Sequence, residues 1–450
     1  MLKKNHIPSE EPIITVGIIM PEDNANSITV KTPPEISDKY IIRINNIDYS
    51  LNNNSILNFK LHKKNIEISF DDGIYVTNQE VRINPVFQKK KLLPKSGLKV
   101  ENVISGRDYH WKKRIDVYLP DTLIIKIVKN SLFLYNELPL EHYLMCVATS
   151  EMNAACPEAL IQSQTIVARS WILAAAEQKH KELGLDACND DCCQRFQGTT
   201  HLTEQSVKGS SETRGLVAVY DNKICDTRYS KSCGGMTESF DTVWEEKTIP
   251  YLKVFPDSKT KPKELISPLS DENNLRKWLN SVPDTFCSPH TVKENDLINY
   301  LGSVDEDGKY FRWQHFASQK DLTENLNRHH KINALHIKKI TASERGGSGR
   351  IKYLKVTYIN NSGKEKQLIL KKDFEIRQAT DKSFLYSSAF IIKEKKGTNG
   401  IPEGFTFTGA GWGHGVGYCQ IGALGMALKG YNTEEIVLHY FPGVELKKIY

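Results

Sequence analysis

Between residues 138 and 178 the spacing of apolar side chains shifts from about two residues to about 3.6, and this limits the architecture more than any other feature of the chain. Leu140, Tyr143, Leu144, Val147 and Ala148 fall at i, i+3, i+4, i+7 and i+8, one stripe of a helix running from about Leu140 to Met152. The stretch 153–156 breaks the pattern. Pro157 then suits the first turn of a second helix, where its missing N–H has no partner to lose. That helix reaches about Gln178, with Leu160, Ile161, Val167, Ala168, Trp171 and Ile172 apolar and Ala174–Ala176 small enough for close packing. So short a break predicts a helical hairpin.

Around the hairpin the chain reads mostly as strand. The runs Ile13–Met20, Tyr40–Ile44, Ile66–Phe70, Ile115–Leu119 and Thr122–Val128 are bounded by Asn, Asp, Gly and Pro. Strands are also expected near Gly215–Tyr220, Ile224–Ser230, Ile351–Ile359, Glu365–Leu370 and Gly404–Thr408. Helices are expected near Asn273–Leu279, Ser318–Leu326, Gly417–Lys429 and Thr433–Tyr440. The fold class is therefore α+β, a β-rich chain with a central helical hairpin carrying the active site and a β-rich N-terminal region. The 450 residues suggest several domains. We expect a β-rich accessory region over 1–135, a core made of 136–246 and 404–450, and a mixed insertion with strands over 247–403.

Charge excludes some classes. Lys plus Arg number 60 and Asp plus Glu 54, a net charge of +6 spread along the chain. A nucleic-acid binder would concentrate basic residues in a stripe, so no nucleic-acid partner is expected. Nor does any stretch approach the roughly 18 apolar residues of a membrane span. The N-terminus shows no signal peptide, because the segment after Lys3 and Lys4 is polar and acidic. Either the chain stays inside or its leader lies upstream of this sequence.

Glu151 is the most informative residue. The stripe of the first helix, extended to i+11, lands on it, placing a carboxylate where an inward apolar residue is expected. It also closes the helix, where the macrodipole disfavours negative charge. Both effects raise a carboxyl pKa, and a Glu kept protonated near neutrality is what a general acid requires. The alternative is a Glu in solvent at a frayed end. The second helix carries a polar stripe, Gln162, Thr165 and Arg169. Arg169 is expected to face Glu151 or a substrate, or to sit in a buried structural pair.

Nine cysteines make a poor disulfide framework in so long a chain, and Cys188, Cys192 and Cys193 fall within six residues of one another, with His180 close by. Zinc takes four such ligands tetrahedrally; disulfide or plain reduced thiols are the alternatives. Farther on, Tyr229–Glu238 contains Gly234-Gly235 in a tight turn, with Cys233 more simply read as a buried thiol than as a nucleophile. Gly409–Gly417 alternates glycine with other residues, allowing close backbone approach to a ligand. Trp412 and His414 there suit a sugar; a structural turn with a satisfied His is the alternative. No Gly-Lys-Ser/Thr follows, which excludes a phosphate loop of that type. A Cys/His hydrolase built on Cys419 and His414 lacks a third group to orient the base.

Taken together, several blocks resemble the core of the stage II sporulation protein D (SpoIID) family, which includes the LytB amidase enhancers. They are Leu138–Met152, Pro157–Ser170, Cys193–Gly198, Tyr229–Thr237, Gly411–Ala423 and Leu438–Gly443, spread in order over about 138–245 and 404–445. The resemblance implies a lytic transglycosylase acting on peptidoglycan glycan strands, cleaving between N-acetylmuramic acid and N-acetylglucosamine to leave 1,6-anhydro ends. It places the catalytic Glu at Glu151. It implies sugar contacts from Arg169, Gln162, Tyr229, Ser232, Trp412, His414, Cys419 and Gln420. It also implies a structural zinc in the loop holding His180, Cys188, Cys192 and Cys193. Where the family pattern expects His before the last cysteine, this chain has Cys192, and the fourth ligand, His180 or another, stays open. A location in the cell envelope is implied too. The other reading the resemblance allows is a non-catalytic glycan binder that stimulates a separate cell-wall amidase.

Overall fold

The computed structural model describes residues 1–34, 39–87, 91–107, 112–151, 156–301, 309–397 and 400–450, except the side chains of Thr149 and Glu151. The fold is α+β and rich in strand. It divides into two compact units. One is Met1–Asp226 together with Leu446–Tyr450, and the other is Thr227–Glu445.

In the first unit, a seven-stranded sheet runs Ala187–Cys188, Ile13–Ile19, Ser131–Pro139, Thr122–Val128, Val81–Pro85, Tyr40–Ile44, Ile47–Leu51. A six-stranded sheet runs Lys113–Leu119, Leu98–Ser105, Ser27–Lys31, Ile56–His62, Asn65–Phe70, Gly73–Thr77. Alternate residues of Asn65–Phe70 are buried, as expected of a strand with one face inward. Ser131–Pro139 is instead buried along most of its length. It runs directly into the first helix, α1 (Leu140–Glu151), and α2 (Glu158–Ala174) returns beside it. One core joins Val16, Ile125 and Leu134 of the first sheet, Val30, Phe59 and Val100 of the second, and Leu140, Tyr143, Val147, Ala168 and Ile172 of the helices. The N-terminal strands thus share a core with the hairpin and are not set apart as a separate region over 1–135. Because Ser131–Pro139 supplies both a central strand and the lead into α1, no linker intervenes.

In the second unit, Gly404–Ala410 lies between Arg312–Ser318 and Phe390–Lys395 in an antiparallel sheet. Ala334–Arg345, Ile351–Asn360 and Glu365–Lys371 form another. Tyr229–Ser230 pairs in parallel with Tyr418–Cys419. The expected division of 247–403 from 404–450 differs from this arrangement. The strand Gly404–Ala410 takes both its hydrogen-bonded neighbours from within 247–403, so the two segments are one folded body. The boundary between units, at Asp226 and Thr227, falls inside the segment 136–246 that was expected to hold together.

Candidate functional site

Glu151 is the last residue of α1; its side chain, and the break at 152–155, lie outside the described residues. The stripe that pointed to it is buried as expected, with Leu140, Tyr143, Leu144, Val147 and Ala148 all at 5% exposure or less. Glu141, His142, Met145 and Cys146 are buried too, so α1 is enclosed on every side and its stripe does not by itself single out an inward face.

Arg169 takes the buried structural pair. It is wholly buried, and its Nε and Nη2 donate to the carboxylate of Glu141 at 2.9 and 2.6 Å. Ser210 Oγ and Tyr450 Oη also donate to that carboxylate, at 2.7 and 2.8 Å. Burial alone would raise the Glu141 pKa, but Arg169, Ser210 and Tyr450 together hold it below the ordinary carboxylate range. Arg169 is thereby committed to the core and presents no donor to a sugar. Gln162 faces outward and donates to Glu158 and Glu212 at 3.0 and 2.7 Å.

The thiol-rich loop follows α2. Ala187–Cys188 forms the edge of the seven-stranded sheet, pairing in parallel with Ile13–Ile19. Asp190 accepts from the Gly106 and Arg107 N–H groups at 3.0 and 2.7 Å, and Arg107 in turn donates to Asp23 at 2.6 Å. These contacts bring His180, Cys188, Cys192 and Cys193 together, with their ligand atoms all within 4.8 Å of one another. Cys188 Sγ is 3.1 Å from Cys192 Sγ, which is 3.7 Å from His180 Nε2. The Cys193–Gly198 block packs onto the hairpin. Tyr143 Oη donates to Gln194 Oε1 at 2.9 Å, and Phe196 stacks on the Tyr143 ring.

In the second unit the parallel pair Tyr229–Ser230 and Tyr418–Cys419 frames the glycine-rich loop. Ser232 and Trp412 exchange backbone hydrogen bonds at 3.0 and 2.8 Å. The Trp412 indole stacks on Tyr386, with centroids 4.6 Å apart, and tilts against Tyr310. His414 Nδ1 accepts the Val416 N–H at 3.0 Å. Its hydrogen therefore sits on Nε2 and the ring is neutral. Burial pushes its pKa down to about 3, and the charges of Arg228, Arg350 and Arg377 act the same way against Asp373. At any ordinary pH His414 is a hydrogen-bond donor through Nε2, not an acid. Arg350, wholly buried, fills the space beside Gly415, where a Cβ would come within 2.3 Å of its guanidinium carbon. It donates to Ser348 Oγ at 3.0 Å, and Ser348 Oγ donates to Glu238 at 2.7 Å. Much of the close approach the glycines permit is therefore to the protein's own side chains.

Tyr229, Trp412 and His414 are each partly exposed, whereas Ser232, Cys419 and Gln420, at 1% exposure or less, are not placed to touch a ligand. Ser232 and Cys419 shape the loop from beneath. Cys419 Sγ lies with Cys233 Sγ, Cys287 Sγ and a carboxylate oxygen of Asp257, all within 4.8 Å of one another and all buried. Asp257, Cys287, Glu141, Arg350 and Glu238 were not anticipated. Asp257, Cys287 and Arg350 lie outside the motifs, Glu141 and Glu238 lie within them without standing out, and only the fold supplies their partners.

Residues 128–220 match the family described as stage II sporulation protein, and residues 238–417 match a domain of unknown function (DUF8618). The boundary between the two compact units falls between these matches. An uncharacterized protein of Brachyspira hyodysenteriae is 25% identical over 317 residues, 70% of this chain and 69% of that protein. Stage II sporulation protein D of Bacillus amyloliquefaciens is 24% identical over 340 residues, covering 72% and 78%. The amidase enhancer of Bacillus subtilis is 23% identical over 309 residues, 67% of this chain, which spans only 39% of that protein's length.

Proposed function

We propose that the chain, whose residues 128–220 match the stage II sporulation protein family, acts on the cell wall as a lytic transglycosylase of peptidoglycan glycan strands, with Glu151 as general acid and base. The observation that carries this reading is a carboxylic acid at the C-terminal residue of an enclosed helix, inside the matched segment 128–220. Negative charge is in general disfavoured at a helix C-terminus. A protonated Glu151 would give its proton to the bridging oxygen as the bond from C1 of N-acetylmuramic acid breaks. The same sugar's 6-hydroxyl then bonds to C1, and its proton returns to Glu151. One carboxylate suffices because the nucleophile is supplied by the substrate, whereas hydrolysis to a free reducing end would call for a second carboxyl group. Holding the sugar in the conformation for this closure is worth several powers of ten in rate. Within the second unit, Tyr229, Trp412 and His414 are partly exposed and are candidates for a sugar contact of their own.

His180, Cys188, Cys192 and Cys193 fit a closed structural zinc site, since three thiols and an imidazole nitrogen converge within reach of one tetrahedral ion. Bound zinc would tie the loop after α2 together. The substrate puts the chain in the cell envelope; no helix among the described residues is long and apolar enough to cross a membrane.

Purified chain incubated with sacculi should release fragments ending in 1,6-anhydro-muramic acid, read by mass spectrometry. Glu151→Gln should lower the rate at least a hundredfold with the fold intact. Equal rates would remove Glu151 from the chemistry. A second reading, favoured by the similarity to an amidase enhancer, is a glycan-binding partner of a separate amidase. It predicts no fragments from the chain alone and faster release of stem peptides when an amidase is added.

A further inference from the structure

We propose that Cys233, Cys287, Cys419 and Asp257 form a second zinc site, closed and structural, beneath the glycine-rich loop. Its residues and its compact unit are different from those of the His180–Cys193 loop, and the proposal is independent of the catalytic reading.

Distances favour an ion. Donors around tetrahedral zinc at about 2.3 Å (sulfur) and about 2.0 Å (oxygen) lie about 3.8 Å apart for two sulfurs and about 3.5 Å for sulfur and oxygen. Cys233 Sγ is 3.6 Å from Cys287 Sγ and 3.4 Å from Asp257 Oδ2. All four donor atoms lie within 4.8 Å of one another.

The surroundings favour it as well. Asp257 has no exposed surface, and burying a carboxylate is costly unless a cation answers it. Its Oδ1 accepts from Tyr440 Oη at 2.8 Å, with His439 Nε2 3.4 Å away, which turns Oδ2 toward the thiols. Partners of this kind orient metal-bound carboxylates. The backbone N–H groups of Cys233 and Gly422 both point at Cys419 Sγ, at 3.2 and 3.3 Å, as suits a thiolate. Gly422 keeps the place open, since a Cβ there would stand 2.4 Å from Asp257 Oδ2 and 2.2 Å from Tyr440 Oη. Arg312, partly buried, donates through Nη1 to the Gly234 carbonyl at 2.9 Å, beside Cys233, and brings a positive charge near the thiols.

Other chemistries fit less well. A nucleophilic cysteine needs an approach for substrate, and the three thiols are each at 3% exposure or less. A single disulfide would leave a third thiol and a carboxylate buried together. Four protein donors leave no open position, which marks a structural ion. Its ligands come from four separate segments, so it would pin the exit of the glycine-rich loop, at Cys419, to the turn at Cys233 and to residues 257 and 287.

The test is metal content of the full chain expressed in zinc-supplemented medium. Cys287→Ser and Cys419→Ser should each lose one zinc equivalent, and Cys188→Ser with Cys192→Ser should leave that equivalent in place. Unchanged zinc in Cys287→Ser and Cys419→Ser would overturn the site, as would a Cys233–Cys287 disulfide found by mapping the wild type under non-reducing conditions. Should these variants misfold, cadmium-113 NMR of the wild-type chain decides. A resonance from a site of three sulfurs and one oxygen supports the assignment, and none overturns it.

Discussion

At the scale of single residues, the fold buries charged side chains that meet a partner of opposite sign. Arg169 and Glu141 are the clearest pair, since each satisfies the other where water does not reach. Removing one partner strands the other, so Arg169→Ala should lower the stability of the first unit by about 3–5 kcal/mol, measured by urea unfolding followed by far-UV circular dichroism. The folded pKa of Glu141 is depressed. Its contribution is therefore complete above the ordinary carboxylate value of 4.5 and declines as the pH falls through the lower folded value. His414 behaves as a base whose folded pKa is depressed, from 6.5 to about 3. It costs nothing above pH 6.5, and the unfolded chain gains protons first as the pH drops toward 3. His414→Gln should flatten the dependence of unfolding free energy on pH over that interval; an unchanged slope would show that the ring is not held neutral.

Among the elements, the hairpin and the glycine-rich loop illustrate how far local pattern carries. The helices lie where apolar spacing puts them, α1 over Leu140–Glu151 and α2 from Glu158 after Pro157, because a 3.6-residue period is written along one stretch of chain. The second helix stops at Ala174, short of the expected Gln178, where Ala175 turns left-handed with φ 46°. Alternating glycines likewise announced a loop of close approach, but not what approaches. At Gly415 it is the Arg350 guanidinium, and the residue also has φ +71°. Gly415→Ala combines backbone strain with overpacking, and each is worth about 1–3 kcal/mol. The variant should unfold in its second unit at a visibly lower urea concentration, with tryptophan fluorescence as the probe.

For the whole molecule, the chain's end returns to its beginning. Leu446–Tyr450 belongs to the first compact unit although 219 residues of the second (445 − 227 + 1) precede it. Ile449 N–H donates to Gly215 at 3.0 Å, and Tyr450 Oη donates to Glu141. Deleting residues 446–450 removes one of the donors answering a buried carboxylate, a loss of about 1–3 kcal/mol. The melting temperature of the first unit should fall by several degrees while the second is unaffected.

Periodicity and spacing alone determined the α+β class, strands such as Ile13–Ile19, Tyr40–Ile44 and Thr122–Val128, the hairpin, the crowded thiols near 188–193 and the position of Glu151 at a helix end. These are short-range properties, set by how neighbouring residues share a face or a turn. Tertiary structure alone decided that Arg169 answers Glu141, that Ser232, Cys419 and Gln420 are buried, and that Asp257 and Cys287 reach Cys233 and Cys419. Those contacts join residues 24 to 186 positions apart. No local period records such meetings, because what brings the residues together is burial of the core between them.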